Sequence, residues 1–264
     1  MRGFERIRVL SAVASAGLAV LSLAYADFGP MWRSPPAWAP WPGVWIHGLA
    51  LIVLIASVGL CVLRTARPSA LVVGAYYVIW AAIAAPQILP QPLSFGAWYG
   101  FVEALTCLTG ASILYALLRW PSDEAPITAR RGVRVARVLF GVTCVFYGAS
   151  HFAYASYTAT LVPAWLPGRL MLAYLTGAAH IAAGIALAIG FGARLAATLE
   201  AAMMSLFGLL VWVPSFWMQP RPSWATPPET QWSELVVTLA VAAAAWVVAA
   251  SLRDRPWTVQ RSSS

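Results

Sequence analysis

The chain predicts an all-α, polytopic membrane bundle, with eight transmembrane helices arranged as two parallel four-helix repeats. Three observations carry this. Hydrophobic residues make up 61% of the 264 positions and charged residues only 10%, against roughly 45–50% and about 25% in an ordinary soluble domain. Apolar runs recur at close to the 20 residues that a helix needs to cross a bilayer core of about 30 Å. The chain also resembles itself at a spacing near its half-length.

The spans fall at approximately 7–26, 44–63, 69–89, 97–118, 137–156, 170–191, 194–214 and 232–252. Proline and charge interrupt them at "RTARP", "LPQPLS", "PSDEAPITARR" and "MQPRPSWATPPETQ", where helices end. An even number of spans puts both termini on one side. All 17 basic residues are arginine, and all but Arg33, Arg169 and Arg221 fall on the side of the termini. That bias predicts cytoplasmic termini. It also explains the net charge of +8 without nucleic acid as a partner: the lipid bilayer is the partner implied. Tryptophans 32, 38, 41, 45, 98, 165, 217, 224 and 232 gather on the opposite side as an interfacial belt.

Arg2, Arg6 and Arg8 precede an apolar run ending "AYA" before Asp27, which imitates a cleavable secretory signal. The self-similarity argues that this run stays in the protein. "RVL" at Arg8 returns at Arg137, "PAWAP" at Pro36 returns as "PAWLP" at Pro163, and Ala66-Arg67 returns at Ala193-Arg194. Pro86 matches Pro214, Gln91-Pro92 matches Gln219-Pro220, and Glu103 matches Glu234. The expected organisation is a first repeat over 1–118, a cytoplasmic linker over 119–136, a second repeat over 137–252 and a cytoplasmic tail over 253–264. Four spans per half make the repeats parallel. Small residues in "YLTGAAHIAAG" should let helix backbones approach closely.

Ionisable side chains inside a span cost at least about 2.5 kcal/mol, so each is a candidate functional group. His151 and Glu103 are expected a few residues inside the outer ends of their spans, with His47, Glu234 and Asp27 shallower on that side. Tyr147 and Tyr154, at i−4 and i+3 from His151, would share its helix face. Deeper lie His180 and Glu200, the candidate proton-coupling pair, for which a salt bridge of Glu200 with Arg194 is the alternative. A structural reading is open throughout: His151 as interhelical hydrogen-bonding glue, and Glu103 and Glu234 as helix caps. His47, His151 and His180 have no short mutual spacing and no HxxxH or HExxH is present, so no metal site is predicted, and only tertiary convergence could assemble iron or copper ligands from histidines and carboxylates. A haem held by two helices is disfavoured further because His151 and His180 are expected at different depths. Cys61, Cys107 and Cys144, without a CxxC spacing, read as small buried hydrophobes. No flavin, nicotinamide or iron–sulfur motif appears.

The segments "YGASHFAYASYTATLVPAWLPG", "YLTGAAHIAAGIALAIG" and "ARLAATLEAAMMSLFGLLVWVP" resemble the DoxX family of small bacterial four-helix membrane proteins. The likeness runs from about Arg137 to Pro214 and rests on Gly148, a polar residue before Phe152, the Val-Pro-x-Trp-x-Pro turn and Thr176-Gly177. Two positions depart from it: many relatives carry lysine at His151, and close ones often carry histidine at Trp212. The resemblance implies a quinone-binding subunit or accessory of a membrane redox system, with a redox partner subunit supplying electrons. On that reading His151 and Glu103 meet the quinone oxygens, and Tyr147, Tyr154, Trp165, His47, Glu234 and Asp27 surround the ligand. The alternatives are a proton-coupled small-solute transporter using His180 and Glu200, or a structural membrane protein without chemistry.

Overall fold

A computed structural model of the chain describes residues 2–26, 41–120, 125–218 and 228–257. Among these residues the only regular elements are helices. The spans are α1 (Arg2–Tyr25), α2 (Pro42–Cys61), α3 (Leu63–Ala84), α4 (Phe95–Arg119) and α5 (Ile127–Ala153). A short α6 (Ala155–Leu161) leads to α7 (Arg169–Ile189) and α8 (Ala193–Phe207). A π turn (Gly208–Trp212) joins α8 to the single-turn α9 (Val213–Ser215), and α10 (Pro228–Ala250) closes the bundle. Eight helices, counting α8 to α9 as one, are long and apolar enough to cross a membrane. Helix α5 begins at Ile127, ten residues before its expected start, so the arginine-rich stretch belongs to the helix rather than to the linker.

Successive helices pack on one another in each half: α1 on α2, α2 on α3 and α3 on α4, then α5 on α7, α7 on α8 and α8 on α10. Between the halves, α1 meets α10, α4 meets α5, and α4 meets α10. These partners exchange consistently if one half is swapped for the other. The most buried span is α10, and it needs small neighbours. A Cβ at Gly110 of α4 would come within 2.7 Å of the Ala244 backbone.

The most extensive helix contact is that of α5 with α7. A Cβ at Gly148 would lie 2.5 Å from the Gly177 carbonyl oxygen, and one at Gly141 would lie 2.7 Å from that of Gly184. The two glycines on each helix are seven residues apart, two turns, so they line one seam of an antiparallel pair. In lipid there is little hydrophobic force between helices, and such close packing takes its place.

Two polar latches tie α4 to α5. Thr106 donates its own proton to the Val102 carbonyl, so the Tyr147 hydroxyl donates to Thr106 Oγ1 at 3.0 Å. Ser150 likewise donates to the Tyr147 carbonyl, so the Tyr99 hydroxyl donates to Ser150 Oγ. At the arginine-rich end, Arg137 of α5 donates to the Ser251 hydroxyl and carbonyl beyond α10. Near the other end, Gln231 Nε2 donates to the Ser215 carbonyl at 2.8 Å, capping the broken end of α9.

Proline causes that break. Pro214 has no N–H and its ring would press on the carbonyl one turn back. The helix widens just before it, and the Val213 N–H reaches the Gly208 carbonyl five residues earlier. The matched Pro86 instead tightens the end of α3 into a 3-10 segment (Ala85–Ile88).

Gly148→Ala should lower stability by about 1–3 kcal/mol, because a backbone oxygen cannot yield to the added methyl. Gly48→Ala, where a Cβ meets nothing within 4 Å, should be neutral or gain about 0.5–1 kcal/mol. Thermal unfolding of both variants in one detergent separates seam packing from generic helix propensity.

Candidate functional site

The turn between α7 and α8 sets the depth of the site. Gly190 and Gly192 both take left-handed φ, 79° and 57°, a conformation glycine adopts without steric cost. The chain therefore reverses within three residues. His180 stands ten residues before Gly190 and Glu200 ten after it, so the hairpin brings them level. His180 Nδ1 donates to Glu200 Oε1 at 2.8 Å, with each side chain only 1% exposed. The alternative partner for Glu200 is elsewhere: Arg194 donates to the Arg255 carbonyl and stacks over Trp257.

His151 joins this pair. Its ring centroid lies 5.2 Å from that of His180, edge to face, so the two histidines are neighbours rather than groups at separate depths. On this antiparallel pair His151 and His180 lie one turn to either side of the Gly148–Gly177 crossing, and side chains that lean toward their helix N-termini close on each other over the glycines. Thr176 donates its proton to the Leu172 or Ala173 carbonyl. The contact of 3.0 Å between His151 Nδ1 and Thr176 Oγ1 is therefore donated by the imidazole, with the Ala173 carbonyl a second acceptor at 3.4 Å.

This fixes both tautomers. Each ring commits an Nδ1 proton to a fixed acceptor, which leaves Nε2 as the nitrogen that gains or loses a proton. The second carboxylate oxygen of Glu200 is buried without a nitrogen or oxygen partner, and the Cys144 thiol lies beside that carboxylate. Phe207 stacks on His151 at 6.2 Å and meets His180 at 6.0 Å. Tyr147 closes the inner side with its ring 6.0 Å from His180.

Residues 132–213 match the family model of DoxX. This segment is DoxX-like. It spans α5 to the π turn and so contains His151, His180, Glu200, Thr176 and Phe207. No curated protein and no solved structure matches the chain.

Several expected members lie away from the His151–His180 cluster. Glu103 is buried on α4 and faces Tyr99, Cys107 and Tyr147, while the charged neighbour that His151 faces is His180. Glu234 of α10 also faces Tyr99, so the two matched glutamates share a phenol and not an imidazole. Neither caps a helix: each sits beyond the first turn of its helix. Tyr154 leaves the His151 face because α5 ends at Ala153, and its ring packs edge-on against Phe95. Trp165 is 70% exposed. His47 is exposed and donates to the Gly43 carbonyl of its own helix. Asp27 lies outside the described residues. Cys61 is exposed, unlike the buried Cys107 and Cys144.

Three cluster members were absent from the sequence reading of the site: Thr176, Phe207 and Cys144. Periodicity carried a signal for each of them. Thr176 precedes His180 by four residues and Phe207 follows Glu200 by seven, which puts each on the face of its partner. Cys144 precedes Tyr147 by three residues and His151 by seven on α5, which puts it on their face as well. Among the described residues, no group of three His, Cys, Asp or Glu side chains is placed to hold a metal ion.

Removing the carboxylate should cost about 1–3 kcal/mol, the penalty for orphaning a buried donor. Glu200→Gln keeps an acceptor for His180 Nδ1 and should cost less than Glu200→Ala. Equal melting temperatures for both variants and the parent protein would mean that the pair does not form.

Proposed function

We propose that this integral membrane protein exchanges protons with a lipid-soluble ring, a quinone or a similar amphiphile, at the His151–His180–Glu200 cluster of its DoxX-like segment. The observation that carries this reading is a sealed His–Glu pair lying directly behind a half-buried histidine that is reachable from the lipid side. His151 is only partly covered, and beside it Phe152 and Tyr174 pack together, both exposed on the outer surface of the bundle. An aromatic rim facing lipid suits a flat apolar ligand better than a hydrated solute.

The residues fit such a ligand by their donor chemistry. His151 Nε2 faces away from the Thr176 anchor and is the atom that would meet a ring oxygen. A bound quinone would supply two-electron chemistry with uptake or release of two protons. His151 holds its Nδ1 proton through Thr176 while Nε2 accepts or donates. His180, in ring contact behind it, offers a second Nε2. Glu200 stabilises the imidazolium whenever His180 carries the extra proton, as a buried carboxylate does for a neighbouring histidine. Electrons come from a partner subunit, and Glu103 belongs to the neighbouring Tyr99 and Tyr147 network. On this reading the protein sits in a bacterial inner membrane with both termini in the cytoplasm.

Protein purified from its native membrane should yield a quinone on solvent extraction. His151→Ala and His180→Ala should each reduce that yield at least tenfold, and Trp165→Ala should leave it unchanged. Absence of extractable quinone, together with no saturable binding of added quinone, would falsify the reading. A second reading, proton-coupled solute transport, draws on the same sealed pair. It requires uptake by proteoliposomes under a pH gradient, abolished in Glu200→Gln.

A further inference from the structure

Between α4 and α5, where the first half meets the second, lies a groove of about 370 Å³. Its walls include Leu105, Leu108 and Ala116 of α4 and Gly132, Ala136 and Leu139 of α5. These walls are apolar apart from Thr109 and Ser112, and the groove opens sideways beside Val135 and Leu139, both exposed on the outer surface of the bundle. From Leu105 to Ala116 it runs about 16 Å at 1.5 Å per residue. That is roughly half of a bilayer core of about 30 Å, or one leaflet.

The end of the groove is charged. Arg119 is three residues beyond Ala116 and seven beyond Ser112, which puts it on the α4 face that lines the groove. Arg131 precedes Val135 by four residues and so stands on the α5 flank. Both arginines are exposed. Neither forms an ion pair among the described residues, where the pairs are His180 with Glu200 and Arg253 with Asp254. The Arg119 guanidinium is steadied over the Trp120 ring at 5.2 Å. Below them the α5 wall is pared down: a Cβ built at Gly132 meets nothing within 4 Å.

We infer that this seam is a binding site for an anionic phospholipid, with an acyl chain in the α4–α5 groove and its phosphate held by Arg119 and Arg131. The groove accepts hydrocarbon over the depth of one leaflet, and two exposed guanidinium groups stand where a headgroup would lie. Arginine offers a phosphate paired, fixed donors. Basic positions beside spans at the membrane surface favour anionic lipid. A zwitterionic lipid has the same chain but no net charge to answer the two cations, so charge sets the selectivity. The lipid would bridge the two halves at a seam otherwise latched by Tyr147 to Thr106 and Tyr99 to Ser150.

Native mass spectrometry of the full chain, exchanged into detergent with phosphatidylglycerol or phosphatidylcholine of matched acyl chains, tests this. One phosphatidylglycerol should be retained in preference to phosphatidylcholine. Arg119→Gln and Arg131→Gln should each weaken that retention about fivefold. Gly132→Leu should abolish it by filling the groove while leaving the melting temperature in lipid-free detergent unchanged. Should Gly132→Leu fail to fold, Ser112→Leu fills the opposite wall from an exposed position. Equal retention of the two lipids overturns the inference, as does retention unaffected by a filled groove. Full displacement by millimolar inorganic phosphate would reassign the arginines to free phosphate. Dimers that form only with the groove open would reassign it to a second copy of the chain.

Discussion

Helix α5 can lie against α7 because neither carries a side chain where their backbones cross. The carbonyls of Gly177 and Gly184 occupy the space that side chains at Gly148 and Gly141 would need. Water-driven burial contributes little between helices in lipid, so this contact supplies packing that larger residues could not. It also sets reach. With the backbones this close, the His151 imidazole spans the gap to Thr176 and the Ala173 carbonyl, and two rings from different helices meet at 5.2 Å. The chemistry of the site is a consequence of glycine placement.

A second constraint is the shortage of partners for polar groups inside a bilayer. Three hydroxyls at the helix contacts first satisfy a carbonyl of their own helix, and only then accept across the interface. Thr106, Ser150 and Thr176 all do so. The order of donation removes ambiguity from the network: a threonine whose proton is already spent can only accept. That is why Tyr147 and Tyr99 are donors, and why His151 holds its proton on Nδ1. Against this background the buried second oxygen of Glu200 stands out, with no nitrogen or oxygen partner and only the Cys144 thiol beside the carboxylate.

The two halves differ where this matters. At the 127-residue spacing of "PAWAP" and "PAWLP", the positions matching His180 and Glu200 are Val53 and Val73, both buried in the apolar core. One half keeps valine at these places and the other carries an ion-forming pair. The matched prolines diverge as well, Pro86 tightening its helix and Pro214 widening it. The wider turn follows directly after Phe207, the ring that touches both histidines.

The sequence by itself determined the spans, because a helix in lipid satisfies its backbone locally and needs only an apolar run bounded by breakers. It also held the His180–Glu200 pair, since two residues ten positions either side of a glycine turn must come level. What it did not contain was the rotation of each helix about its axis. His151 and Glu103 were placed together by depth alone, yet α5 turns His151 toward α7 and α4 turns Glu103 toward Tyr99 and Tyr147. Trp165 and His47 were assigned to a ligand by side of the membrane and instead face outward, and Tyr154 was lost to a helix end one residue earlier. Depth is a property of one helix and legible along the chain. Facing is decided by which small residues let two helices touch, and only the packed bundle reveals it.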